Sequence, residues 1–341
     1  MSGIAQALLG PDGEFLAISG AIKQFFELLM DITRLEPGND VHREHLILPS
    51  GKCIGPYWAA LCVKDLMRTK KFVQGLYLGI RAAQQKFPDT TLHVLYAGTG
   101  PFATLALPMT ALFSPEEVQF TMLEIQPESV RMLHQVIDAF QMGAYVREVL
   151  TVDATQYQCP PDQRPHVLIC ETMQHSLRDE PQVAITMNLA PQLQPGGILI
   201  PEQILVWAGF LDKKLVARQL FDLESPRESA YLLKQLVFTL DKQTPEETLD
   251  HGWFPAIEIE ISPEESARYQ NFYLFTQIQV YGAASLQINQ SGLNLPHALL
   301  NFQRMTEPPN RVVLQYGING RPGFQLKQHI APGPLYENTL F

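Results

Sequence analysis

From Leu92 onward the chain is built of short apolar runs, at 92–96, 119–124, 145–151, 166–170 and 196–200, separated by longer segments whose apolar residues recur at helical spacing. Runs so short and so continuously apolar fit interior strands, and strands joined through helices are the pattern of βα units around a parallel sheet. After Pro201 the alternation stops. Residues 203–211, 256–261, 272–281, 284–289, 311–317 and 323–329 read as strands between turn residues, with a charged helical insertion expected around 213–240. Upstream, residues 16–35 and 56–85 carry helical periodicity. The expected fold is α/β, a Rossmann-like domain followed by a mainly antiparallel β-barrel or sandwich. Its expected divisions are a helical segment over 1–55, the α/β domain over 56–201 and a β-rich domain with the insertion over 202–341.

The first strand of the α/β part ends in Tyr96 and runs into Ala97-Gly98-Thr99-Gly100-Pro101, before an apolar helix expected over 102–113. Glycines there let backbone approach a ligand at the carboxyl edge of the sheet, and a following helix N-terminus offers unpaired N–H groups. The next strand delivers Glu124 to its carboxyl end, where a carboxylate can accept both hydroxyls of a ribose. The third ends in Val152-Asp153-Ala154, suited to an adenine amino group. Three strand ends in chain order favour a nucleoside cofactor. Phe102 stands where a dinucleotide loop wants a third glycine, which disfavours a pyrophosphate and points to S-adenosyl-L-methionine.

After the fourth strand, Cys170-Glu171-Thr172-Met173-Gln174-His175-Ser176-Leu177-Arg178-Asp179-Glu180 sets two glutamates nine residues apart. Lys64-Asp65-Leu66-Met67-Arg68-Thr69 lies in the second helical stretch, and Pro195-Gly196-Gly197-Ile198-Leu199-Ile200-Pro201 closes the α/β part. On these residues the sequence resembles the class I S-adenosylmethionine-dependent methyltransferases, and within them the protein arginine methyltransferase family, over residues 56 to 211. The resemblance implies a double-glutamate loop in which Glu171 and Glu180, with Met173 beside them, carry the reaction. It also implies that Arg68 holds the methionine carboxylate of the cofactor, and that Ala97 to Pro101, Glu124, Asp153 and Ala154 surround the rest. Tyr57 and Trp58 offer aromatic cover. His175 stands where the family has an aromatic such as Tyr, and Tyr96 where the superfamily commonly has Asp. The second domain has no Thr-His-Trp element; Asn294-Leu295-Pro296-His297 comes nearest, so His297 joins His175 and Tyr57 as candidate pocket residues.

Two carboxylates suit a guanidine acceptor. A guanidinium titrates above about 12 and its nitrogen lone pairs are delocalised, so it is a poor nucleophile at neutral pH. Paired acids can hold its planar fork and draw positive charge toward the nitrogens they contact, leaving another nitrogen to face a methyl donor; no metal is required. Free arginine-like molecules are slightly favoured over protein arginine, because the pocket element is altered and the chain has no basic or Gly/Arg-rich docking segment. Two other readings stay open: a methyltransferase for another nucleophile, and a non-catalytic binding scaffold.

Charge and cysteine usage bound the partners. The formal net charge is −10, with 25 Lys plus Arg against 35 Asp plus Glu. No positive field is available for nucleic acid or anionic lipid, whereas a cationic acceptor is attracted. Cys53, Cys62, Cys159 and Cys170 fit neither a zinc site nor a disulfide framework, and reduced thiols in a cytoplasmic protein are expected. The N-terminus does not read as a secretory signal, and no apolar run reaches the ~20 residues of a membrane helix. The expected partners are a small-molecule or peptide guanidine and a second copy of the chain, with no nucleic acid, membrane or metal.

Overall fold

A computed structural model describes residues 1–221, 230–247 and 249–330. The chain opens with α1 (Ser2–Leu9), α2 (Phe15–Thr33) and α3 (Asp40–Arg43), then a hairpin of β1 (Leu46–Leu48) and β2 (Gly51–Cys53). On α2, Ile18, Ile22, Phe25 and Leu29 form the buried stripe that the 3.6-residue period dictates. The second helical stretch divides into α4 (Pro56–Leu61) and α5 (Leu66–Lys86), because Asp65 accepts the Arg68 N–H and caps a new helix there.

Helix α5 ties the parts of the molecule together. Lys70 is fully buried, and its Nζ donates to the carbonyls of Leu8 and Gly10 at the end of α1, where the helix dipole favours a cation. On another face, a Cβ on Gly75 would stand 2.3 Å from Val280 Cγ1, so glycine permits the close approach of α5 to the β-rich half.

The parallel sheet comprises β3 (Leu92–Ala97), β4 (Val118–Glu124), β5 (Val146–Thr151), β6 (Val167–Cys170) and β7 (Ile198–Ile200), in the order β5-β4-β3-β6-β7. Helices α6 (Pro127–Ala139) and α7 (Gln182–Leu189) follow β4 and β6. Strand order reverses beside β3, which opens a crevice at the carboxyl ends of β3, β4 and β6.

The helix expected over 102–113 is absent. Two 3-10 turns, Gly100–Phe102 and Leu107–Ala111, stand in its place. Pro101 and Pro108 remove N–H donors there, and Ala103 takes a left-handed φ of 46°, which breaks the helical path.

Beyond Pro201 the strands are β8 (Gln203–Leu211), β9 (Tyr231–Leu240), β10 (Ile257–Glu260), β11 (Asn271–Tyr281), β12 (Ala284–Leu286), β13 (His297–Asn301), β14 (Arg311–Gly317) and β15 (Gly323–Ile330), with α8 (Lys213–Phe221) and α9 (Pro263–Arg268) between them. One antiparallel sheet runs β12-β11-β8-β9, with β13 also on β11; the other runs β10-β14-β15. Among the described residues these are two sheets and no closed barrel. They meet through aromatic packing, Phe238 of β9 stacking on Tyr316 of β14 at 4.8 Å. The expected helical insertion is overturned over 231–240, which is strand β9 paired along β8; α8 is described to Phe221, and 222–229 lie outside the described residues. Among the described residues no helix is long and apolar enough to cross a membrane. The calls on 331–341 lie outside the described residues.

Candidate active site

One cavity occupies the crevice. It is floored by the carboxyl ends of the parallel strands and walled by α4, α5, the start of α7 and the β1–β2 hairpin. Glu124, Asp153, Ala154, Glu171, Glu180, Arg68, Gly98, Thr99 and Gly100 all line it. Residues chosen from four strand ends and a distant helix thus share one space.

The chain leaves β3 through Gly98 and Gly100, at φ 73° and 61°. A Cβ on Gly98 would stand 2.2 Å from Thr172 Cγ2, so glycine is required there by both conformation and space. Between them Thr99 is buried and its Oγ1 has no partner, an uncompensated group of the kind a polar ligand satisfies.

Glu124 ends β4. Its Oε2 accepts the Gly100 N–H at 2.7 Å, and its Oε1 accepts those of Ile125 and Gln126 at 2.8 Å each. Burial pushes its pKa up while these three donors pull it back. Oε2 carries one bond and keeps a lone pair for a ligand hydroxyl. Asp153 closes a tight turn after β5, its Oδ1 accepting from Thr155 N at 2.9 Å and Thr155 Oγ1 at 2.7 Å.

Arg68 reaches from the first turn of α5 to Glu171. Its Nε and Nη2 both donate to Glu171 Oε2, at 3.0 and 2.5 Å, while Glu171 Oε1 is buried without a partner. Burial drives the Glu171 pKa up to about 7 against the pull of Arg68, and Glu180 pushes the same way. The Glu180 pKa is also raised by burial, opposed first by Gln174, whose Nε2 donates to Glu180 Oε1 at 2.9 Å.

The loop between these acids is strained and held from outside. Ser176, Leu177 and Asp179 have φ of 58°, 55° and 65°, a left-handed conformation costing on the order of 1–3 kcal/mol per residue. Thr276 Oγ1 accepts the Ser176 N–H at 2.9 Å, Tyr316 Oη donates to the Leu177 carbonyl at 2.7 Å, and the Pro322 carbonyl accepts the Asp179 N–H at 2.8 Å. All three partners belong to the antiparallel sheets or their turns. From the other side, the Lys52 N–H of the hairpin donates to the Asp179 carbonyl at 2.8 Å.

Other expected residues lie outside the lining. Ala97 and Pro101 are buried, and Met173 packs into the hydrophobic core at 2% exposure. Tyr57 packs edge-on against Trp58, with the Arg43 guanidinium beside both rings. His175 and His297 meet in a T-shaped ring contact at 5.3 Å, joining the loop to β13. Burial lowers both, His175 to about 4, with Arg178 nearby, so this is a neutral pair at neutral pH. Sequence reasoning missed Lys52, Cys53, Cys62 and Tyr96, which do line the cavity. The three-residue strand β2, which carries Lys52 and Cys53, leaves no periodic signal.

No protein-family model matches the sequence, and no curated protein matches it. Among solved structures the chain is similar to PRMT6, at TM-score 0.53 and 12% identity over 80% of this chain and 98% of that one. It also aligns with the Trypanosoma brucei PRMT1 enzyme–prozyme heterotetrameric complex with AdoHcy, at TM-score 0.49 and 11% identity over 80% of this chain and 93% of that one. Arabidopsis thaliana protein arginine methyltransferase 10 gives TM-score 0.48 and 12% identity over 76% of this chain and 87% of that one. The PRMT6 match identifies the fold: a class I methyltransferase sheet with an antiparallel β-rich half, as in the protein arginine methyltransferases.

Proposed function

We propose that the chain is an S-adenosylmethionine-dependent N-methyltransferase acting on an arginine-type guanidine, with a small free guanidine slightly favoured over protein arginine. The carrying observation is that two glutamates, the buried Glu180 and the part-buried Glu171, line the same cavity as Glu124 and the Gly98–Gly100 turn, with Glu171 Oε1 buried and unpartnered.

The residues fit the cofactor. Glu124 offers Oε2 to ribose hydroxyls, Thr99 has an unpartnered hydroxyl, and the glycine turn lets a ligand lie against backbone. Arg68 has five N–H donors and spends two on Glu171, leaving others for an α-carboxylate. Bound there, the cofactor supplies an electrophilic methyl on sulfur. Glu171 Oε1 and Glu180 hold the guanidinium plane and concentrate its positive charge on the nitrogens they touch, leaving one nitrogen to attack. Transfer of that methyl would leave the acceptor nitrogen with one proton to lose. Glu171, ionised while it holds the guanidinium and with its pKa raised by burial to about 7, takes the proton that the methylated nitrogen sheds.

The same elevated pKa favours a second reading, in which Glu171 serves as general base for a neutral amine or hydroxyl. Methyl transfer to arginine, agmatine and an arginine peptide, assayed beside simple amines and alcohols, separates the two. A guanidine product that disappears in Glu180→Gln with S-adenosylhomocysteine affinity intact supports the first. Transfer only to amines or alcohols establishes the second, and failure to bind S-adenosylhomocysteine leaves a non-catalytic scaffold.

A further inference from the structure

The hydrogen bonding around the two acids is unequal in a way that assigns work to a neighbour. Glu171 has one oxygen engaged by a cation, Arg68. Glu180 lies on the same cavity, is only 6% exposed, and has its Oε1 engaged by a neutral amide, Gln174 Nε2, at 2.9 Å. Gln174 belongs to the same loop, and no other side chain donates to Glu180 among the described residues. Burial is the largest influence on Glu180 and favours its protonated form, with Asp179 pushing the same way and Gln174, Arg68 and Lys52 opposing; a protonated acid presents a guanidinium with neither charge nor a second acceptor.

Resting on the guanidine reading above, we infer that Gln174 is a positioning residue: its amide occupies one oxygen of Glu180, turns the other toward the acceptor, and keeps the carboxyl ionised. The amide suits both tasks. Its N–H stabilises the charged form, and being neutral it adds no positive charge to repel a cationic acceptor, as Lys or Arg in its place does. With Arg68 doing the corresponding work at Glu171, each acid presents one oxygen, so the pair offers two acceptors to N–H groups of a single planar fork.

The test uses the full-length protein, saturated with S-adenosylhomocysteine for the titration and supplied with S-adenosylmethionine for turnover. The Glu180 carboxyl is titrated by carbon-13 NMR and assigned by its loss in Glu180→Gln, and acceptor kcat/KM is measured against pH. In Gln174→Leu the Glu180 titration is expected to move up by about one unit. The acid limb of kcat/KM should move with it, so that activity falls about tenfold at the wild-type midpoint and recovers at higher pH. Gln174→Glu, which keeps the shape and adds a like charge, should move both further. S-adenosylhomocysteine affinity near wild type in both variants shows that the fold is kept. A Glu180 titration unchanged in both variants overturns the inference, as does a loss of activity uniform across pH. Should no guanidine be methylated by the wild type, the functional reading fails on its own account, while the NMR titration still decides what Gln174 does to Glu180.

Discussion

Ser291 Oγ donates a 2.8 Å hydrogen bond to Asp65 Oδ2 across 226 residues of sequence. The Gly292 N–H reaches the same oxygen at 2.7 Å, while Asp65 Oδ1 caps the helix that carries Arg68. One carboxylate thus sets the start of α5 and fastens the β-rich half to it. Asp65→Ala should cost about 3 kcal/mol or more, a cap of ~1 plus two bonds to a charged acceptor. Ser291→Ala should cost about half as much. Urea unfolding measures both, and calorimetry should show weaker S-adenosylhomocysteine binding in Asp65→Ala, because Arg68 loses its fixed position.

Gly98→Ala meets two separable obstacles, a φ of 73° and a Cβ position 2.2 Å from Thr172 Cγ2. The expected loss is ~3 kcal/mol, about 1 of it from backbone conformation and the rest from crowding. Thr172→Ser removes the colliding methyl and keeps the hydroxyl. The double variant should therefore recover all but about 1 kcal/mol, a coupling that denaturant melts of the four proteins resolve.

Glu124→Ala should weaken S-adenosylhomocysteine binding by about 2–4 kcal/mol, the scale of a charge-assisted pair of hydrogen bonds. The same change strands the N–H groups of Gly100, Ile125 and Gln126, so thermal stability should fall with it. Unchanged affinity by calorimetry removes Glu124 from the cofactor site.

The pH dependence of stability has a sign fixed by Glu171. Its folded pKa, about 7, exceeds the ordinary carboxylate value of 4.5, so folding favours the protonated form. That contribution is fully present below pH 4.5 and is lost as pH rises through 7. Between these limits the ligand-free protein should lose on the order of 3 kcal/mol relative to Glu171→Gln, which has no such proton to release. Urea unfolding of both proteins at pH 5 and pH 7.5 gives the difference of differences; a parallel pH response in the two means that Glu171 is ionised throughout.

How far the sequence disclosed this site depended on whether a residue's task is local. Glu124, Asp153 and the glycine turn were legible because a strand's apolar run ends visibly and the next residue must stand at the sheet edge. The change from a parallel to an antiparallel sheet after Pro201 was legible because helical and strand periods differ. What escaped depended on contacts made across the chain. Lys52 and Cys53 reach the cavity on strands too short to show a period, and 231–240 hid its strand because Tyr231 to Leu240 does not alternate cleanly, its pairing with β8 shifting register twice. The turns over 102–113 looked helical by apolar content, and only the positive φ of Ala103 and the missing N–H groups of Pro101 and Pro108 stop a helix. Gln174 stood in plain view within the quoted motif, but nothing about an amide in a loop announces that a buried acid accepts from it.

The left-handed backbone at Ser176, Leu177 and Asp179 means that the loop bearing Glu180 does not own its shape. Thr276, Tyr316 and Pro322 impose it, and none of the three lines the cavity. A fragment ending at Pro201 would keep Arg68, Glu124, Glu171 and Glu180 and still lose the partners that hold the Glu180 loop in shape. The position of Glu180 is therefore open to change from residues that never reach the cavity: redesign of the β-rich surface behind the loop can move this carboxylate while Glu124 and the Gly98–Gly100 turn stay as they are.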